Sequence, residues 1–374
     1  MKKIGLITYH ASHNIGSMMQ TYAMLNIIQE RYGYEVEIIN FSSKKQQELY
    51  SFYYKNDSVK NVIKNIIITL MYPFFKKRYN DYGDFITNKF PLSGKLLSST
   101  KEVADISEKY DVLICGSDQI WNVTCKDFDD SYFLPFNKKD KKIAYAPSLG
   151  GKNILNDKGN LDKYKGYLED FDYISVREKN GVNWLSQLTD KEISFVPDPT
   201  LLFDNVFWDK LIDDSGYQEK YIFFYGAAYY KDTFKVLREI SKKYNMPIIM
   251  FDHKAWVFKG NMFKGLKVAN STSPESYLKL IKNAEFVITT SFHGTIFSTI
   301  YRKNFWSITF KDTNPDDDRI ITLLEQLGFE DRKLFFEEAH LVDLKKPVNY
   351  DDYLKNATKI KDNGLSYLDR AFNE

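Results

Sequence analysis

KIGLITYHASHNIGSMMQTYAMLNIIQERYGYEVEIIN, from Lys3 to Asn40, decides the fold. Its first seven residues, Lys3 to Tyr9, form an apolar run of strand length. HASHNIG, His10 to Gly16, is polar and ends in glycine, which reads as a loop. Met18, Met19, Tyr22, Leu25 and Ile28 then recur at steps of three and four residues, the period of a helix. Gly33 is placed to end that helix, because glycine takes the left-handed conformation at a helix C-terminus without steric cost. EVEIIN, Glu35 to Asn40, returns to strand character. Strand, helix and strand at this spacing predict a βαβ unit, whose crossover makes the two strands parallel.

Outward from this unit the alternation continues. Strand-like runs begin at Asp111 (DVLIC), Lys142 (KIAYA), Tyr173 (YISV) and Ile193 (ISFV). Beyond PDPTLLF, Pro197 to Phe203, a second series begins at Tyr221 (YIFFY), Pro247 (PIIMF), Phe286 (FVITT) and Phe305 (FWSIT). Helical patterns are read near 232–244, 275–283, 294–302 and 317–328. A chain of 374 residues exceeds what one core ordinarily supports. The expected architecture is α/β, two doubly wound Rossmann-like domains facing a cleft. The boundaries are set at 1–205 and 206–345, with C-terminal helices over 346–374 docking back on the N-terminal domain. Ligands are expected where strand C-termini meet.

Composition narrows the function. The net charge of +2 argues against a dedicated nucleic-acid binder, which is usually far more basic. Cys115 and Cys125 are too few for a disulfide framework and lack the histidine neighbours of a zinc site. No metal and no cofactor are expected. MKKIGLITYH does not read as a secretory signal, and no run of 18 apolar residues occurs, so a cytoplasmic chain is expected. Between residues 41 and 80, eight basic residues stand against two acidic ones and enclose IIITLMYPFF, Ile66 to Phe75. Either this segment touches the inner face of a membrane through 60–78, or it is a helix packed on the domain with solvated lysines.

Five stretches carry chemistry. HASHNIGSMMQ, with His13, Asn14, Gly16 and Gln20, joins a strand end to a helix start, where amides and dipole suit anions or hydroxylated ligands; Asn14 serves equally as a local cap. CGSDQIWN offers Ser117, Asp118, Gln119 and Asn122 beside Trp121, a polar set next to an aromatic platform that suits a sugar or a capped helix start. SVRE puts Arg177 at a strand end, where its fork matches carboxylate or phosphate, or pairs with Glu178. TTSFHGT places Ser291, His293, Gly294 and Thr295 between strand and helix; His293 suits acid/base work, and the amides suit a phosphate. Arg319, in the first turn of a helix with an acidic start, either contacts an anion or pairs with Asp316 or Asp317.

Taken in order, NIGSMMQ from Asn14, VLICGSDQIWN from Val112, YAPSLG from Tyr145, SVRE from Ser175, FVPDPTLL from Phe195 and TSFHGT from Thr290 resemble the polysaccharide pyruvyl transferase family. The resemblance implies a fold like that of type B glycosyltransferases. It also implies transfer of an enolpyruvyl unit from phosphoenolpyruvate, as co-substrate, onto a sugar of a cell-surface polysaccharide precursor, giving a cyclic ketal. By this likeness His293 matches the catalytic histidine and Arg177 a donor-contacting arginine. Ser291, Gly294, Thr295 and Arg319 fall on the donor side, with the C-terminal domain. His13, Asn14, Gly16, Gln20, Ser117, Asp118, Gln119, Trp121 and Asn122 fall on the acceptor side, with the N-terminal domain, for a sugar free or lipid-linked. Many members carry an arginine two residues before the histidine; here that position is Ser291, followed by Phe292. A glycosyltransferase using a nucleotide sugar and a non-catalytic sugar-binding module are the rival readings.

Overall fold

The alternating apolar runs assemble into two sheets, each of six strands, all parallel. The computed structural model describes residues 2–136, 141–213, 219–227, 229, 232–310, 314 and 316–373. The first sheet holds β1 Lys3–Ile7, β2 Glu35–Ile38, β3 Val112–Cys115, β4 Lys141–Ala144, β5 Tyr173–Val176 and β6 Ile193–Phe195, in the order β2-β1-β3-β4-β5-β6. The second holds β7 Ile222–Tyr225, β8 Ile248–Met250, β9 Lys267–Val268, β10 Phe286–Thr289, β11 Phe305–Thr309 and β12 Lys333–Phe335, in the order β12-β11-β10-β7-β8-β9. The central strands β3 and β10 are buried throughout, as strands covered by helices on both faces must be. The short strands β9 and β12, at opposite edges of the second sheet, were not read from the sequence, because two or three residues carry no alternation.

Helices of the first half are α1 Ile15–Tyr32, α2 Lys44–Leu49, α3 Val59–Leu70, α4 Tyr72–Lys89, α5 Thr100–Ser107, α6 Leu161–Glu169 and α7 Lys179–Leu185. Those of the second are α8 Asn205–Asp209, α9 Thr233–Tyr244, α10 His253–Phe258, α11 Pro274–Asn283, α12 Phe292–Ile300, α13 Arg319–Leu327 and α14 Tyr353–Asn373. The ends of α1 follow the sequence logic. Asn14 accepts from the Gly16 and Ser17 amides, and Gly33 closes the helix at φ 65° with its amide on the Gln29 carbonyl. α1 is buried over most of its surface because one core runs from Met18, Met24 and Ile28 to Phe223, Val287 and Phe297 of the second sheet.

The run Ile66–Phe75 is no single helix: α3 stops at Leu70 and α4 restarts at Tyr72 with Pro73 in its first turn, where a missing N–H costs nothing. The terminal α14 straps the two halves together. Near its start Tyr353 stacks on Phe329 and Asn356 donates to the Leu327 carbonyl. Farther along, Asn363 donates to the Phe195 carbonyl, Tyr367 to that of Ala144, and Asp369 pairs with Arg31. Among the described residues no helix is long and apolar enough to cross a membrane.

Gly364 is where α14 presses closest: a Cβ there would lie 2.7 Å from Tyr145 Oη, 2.8 Å from Leu202 and 2.9 Å from Pro197. Overpacking of about 1–3 kcal/mol outweighs the ~1 kcal/mol that alanine gains over glycine in a helix. Gly364→Ala is therefore expected to lower the thermal unfolding midpoint, while Asp362→Ala on the exposed face leaves it in place. A midpoint unchanged in both would mean that α14 is not seated as described.

Candidate active site

In an open parallel sheet the chain leaves a crevice where consecutive connections turn to opposite sides, beyond the strand C-termini. Here that point lies between β1 and β3 in the first sheet and between β7 and β10 in the second. The four loops that follow these strands face one cavity of about 1090 Å³. Its lining includes His13, Asn14, Asp118, Gln119, Arg177, Ser291, Phe292, His293 and Arg319. Arg177, His293 and Arg319, far apart in sequence, therefore meet in one cleft.

Beneath the lining sits Asp198, fully buried just after β6. Its Oδ2 accepts from Arg177 Nη1 at 2.5 Å and lies 3.4 Å from Ser117 Oγ and 3.3 Å from His293 Nε2. Its Oδ1 accepts from the Thr200 amide and hydroxyl at 3.0 and 2.6 Å. Burial alone would push this carboxyl up, but His293, Arg177 and Thr200 outweigh it and hold Asp198 well below the ordinary carboxylate range. Arg177 also faces Asp118 at 3.5 Å rather than pairing with Glu178, whose carboxylate accepts from Ser148.

His293 occupies the first turn of α12, behind Ser291, whose side chain caps the helix. The helix starts two residues earlier than the sequence pattern predicts, which turns the imidazole back toward the first sheet. Its Nε2 side meets Asp198 but has no aligned hydrogen bond, and its Nδ1 edge lies on the first turn of α1. Any Cβ on Gly16 would stand 2.1 Å from that Nδ1, so glycine is what lets α1 approach the ring. Phe292 lies under the Arg177 guanidinium, 4.7 Å from ring centroid to Cζ. Arg177 Nε is buried without a hydrogen-bond partner among the described residues, as is His293 Nε2.

Several expected contacts fall elsewhere. Trp121 is no platform: it is fully buried, stacked on Phe133, with its indole N–H on the Tyr132 carbonyl. Asn122 binds Gln119 and Thr124, away from the cavity lining. Gln20 and Ser117 are scaffolding: Gln20 accepts from the Ser117 amide and donates to Thr8, and Ser117 donates to the Ala146 carbonyl. The Gly294 and Thr295 amides are taken by the Ser291 hydroxyl and carbonyl, so they do not grip an anion; Thr295 Oγ1 pairs with Ser307. Arg319 lines the cavity with its fork closed on Asp317, at 2.7 and 2.6 Å.

The sequence reading missed Asp198, although PDP, an acid between two prolines, marks a rigid turn. It also missed the far end of the cavity, lined by Tyr50, Phe52, Phe75, Tyr79, Tyr82 and His253. There His13 stacks on Tyr82 at 4.8 Å and meets Tyr79 edge-on at 4.6 Å. Burial, with the nearby Lys254, lowers His13 to about 4 and His253 to about 3, so both rings are neutral at pH 7. The cleft thus has one end of paired charges at Arg177 and another at His13 built of rings and neutral imidazoles, with Arg78 and Lys254 beside them.

Removing the charge of Asp198 should leave Arg177 under-compensated, a loss on the order of 3 kcal/mol for a broken buried pair. Because the folded-state carboxyl is depressed, its stabilisation is complete above the unfolded pKa near ~3.9 and is lost as pH falls through and below it. Denaturant titrations of Asp198→Asn should differ from wild type at pH 7 and converge with it in acid; a gap independent of pH would contradict the pairing. Gly16→Ala should fold normally yet cut turnover by about 10²-fold through displacement of the ring; undiminished turnover would remove His293 from its assigned place.

A family model described as polysaccharide pyruvyl transferase matches residues 14–312. No curated protein matches the chain. Solved structures similar to it include the S. aureus MnaA–UDP co-structure, 10% identical over 100% of this chain and 98% of that one, with a TM-score of 0.52. Another is UDP-GlcNAc 2-epimerase from Methanocaldococcus jannaschii, 14% identical over 100% and 93%, with a TM-score of 0.49. At 10% identity the first of these speaks for the shared two-sheet fold alone. The motifs that bring Asn14, Asp118, Arg177, Asp198 and His293 to the cleft all lie inside the matched residues, and the chain belongs to the polysaccharide pyruvyl transferase family.

Proposed function

We propose that this transferase moves an enolpyruvyl unit from phosphoenolpyruvate to two hydroxyls of a sugar. The observation that carries the reading is the meeting of His293 and Arg177 over Asp198, on loops that open into one cavity. An arginine fork beside a histidine suits a donor that carries carboxylate and phosphate and needs a proton moved at its enol carbons.

The chemistry balances as follows. One acceptor hydroxyl oxygen bonds to the enol carbon, its own proton is removed, and the methylene carbon takes up a proton to become methyl. The C–O bond to phosphate then breaks, the second hydroxyl oxygen bonds to the same carbon, and its proton leaves with phosphate or solvent. The products are a cyclic ketal and inorganic phosphate. In this scheme His293 moves the protons and Asp198 steadies the imidazolium as it forms. Arg177 holds the donor anion with its cation set over Phe292. The aromatic end around His13, Tyr79 and Tyr82 receives the sugar, whose C–H faces pack on rings.

Transfer from a nucleotide sugar is the second reading. It is favoured by one feature: Arg177 and Arg319 are each already paired with carboxylates, which leaves less positive charge for a small trianion. One assay separates the two. Incubation with phosphoenolpyruvate and a panel of sugar acceptors is expected to release inorganic phosphate, and His293→Ala to reduce that release by about 10²–10⁴-fold. Release of a nucleotide from nucleotide sugars, with none of phosphate from phosphoenolpyruvate, would overturn the proposal.

A further inference from the structure

Soluble proteins rarely leave a contiguous row of large apolar side chains in water. α3 does. Val59, Val62, Ile63, Ile66 and Leu70 retain 78%, 40%, 52%, 54% and 79% of their surface exposed. At 100° per residue these five fall within one arc of roughly 100° along the helix. The opposite face holds the helix to the protein: Ile68 is fully buried with Phe75 and Val257, and Asn65 bonds the backbone of Tyr54 in both directions. The stripe is therefore displayed by a helix whose other side is fixed.

The charges around it are mostly positive. Lys60 is exposed beside the stripe, and Lys64 lies over the Tyr54 ring at 4.3 Å. Burial and then the fields of Lys60 and Lys259 lower Lys64, which places these three cations near one another. Across residues 41–80 the imbalance is eight basic to two acidic, in a chain with a net charge of only +2. One of the two acids, Glu48, is already taken by Lys55.

We propose that α3 lies flat on an anionic lipid bilayer, with the Val59–Leu70 stripe at the acyl boundary and the surrounding lysines on the headgroups. An interfacial helix needs an apolar face with cations at its margins, and this one has both. A second copy of the chain fits less well, because a two-fold contact through α3 would bring two sets of lysines together. The same segment supplies Leu49, Tyr50 and Phe52 to the cavity, so the bilayer would lie beside its aromatic end. Under the pyruvyl-transfer reading, this placement selects an acceptor sugar carried on a membrane lipid.

The test is co-sedimentation of the full chain with vesicles of phosphatidylcholine containing about 30 mol% phosphatidylglycerol. Wild type is expected to pellet with these vesicles and to stay in solution with pure phosphatidylcholine. Ile63→Asp/Ile66→Asp, which changes exposed side chains outside the cavity, is expected to bind at least tenfold more weakly with an unchanged thermal midpoint. Equal binding by the double variant, or none by wild type, would overturn the proposal. So would a wild-type dimer in sedimentation velocity that the variant dissociates, which would assign the face to a second copy. Vesicle binding without phosphate release from phosphoenolpyruvate would remove the donor reading and leave the membrane contact standing.

Discussion

The buried carboxylate of Asp198 is the constraint on which the cleft depends. A lone charge at zero exposure is too costly to keep, so it must be matched by cations and donors on every side. Arg177 comes from the end of β5, Ser117 from the loop after β3, Thr200 from the turn after β6, and His293 from α12 across the cleft. One carboxylate thus ties three strand ends of the first sheet to the first turn of a helix on the second. The same contact aims the imidazole, and Gly16 backs it from the other edge. Position and charge are set together, because neither half of the chain supplies the full set of partners.

Much of the fold was legible because parallel strands covered on both faces must be apolar runs, and DVLIC, YISV, FVITT and FWSIT are such runs. The βαβ opening was read nearly residue for residue, since cap and stop chemistry at Asn14 and Gly33 act locally. The meeting of His293 with Arg177 was reachable only through their shared place at strand ends. Asp198 was not legible: its role depends on partners 21, 81 and 95 residues away in the chain. Trp121 misled because an aromatic next to polar residues reads the same whether its ring faces a cleft or a core. The Gly294 and Thr295 amides misled for a related reason, as the capping serine that begins α12 also consumes them.

The cleft divides by physics into two environments. Around Arg177 and Arg319 the groups are charged and paired; around His13 and His253 aromatic rings dominate beside Arg78 and Lys254, and burial keeps the imidazoles neutral. The pyruvyl transfer proposed above, which joins a multiply charged donor to a neutral polyol, would use such a division, with the proton-moving group at the border. His293 stands on that border. The basic segment that closes the aromatic end is also the one that displays an apolar helix outward, so under the two proposals acceptor recognition and membrane contact would share one stretch of chain.

The central claim is that Asp198, Arg177 and His293 form one donor-processing centre. A crystal structure with phosphoenolpyruvate bound tests it most directly. The account predicts an anionic group of the donor within about 3 Å of Arg177 and the enol carbons facing His293. A donor seated elsewhere in the cleft, with Arg177 and His293 both untouched, would contradict it.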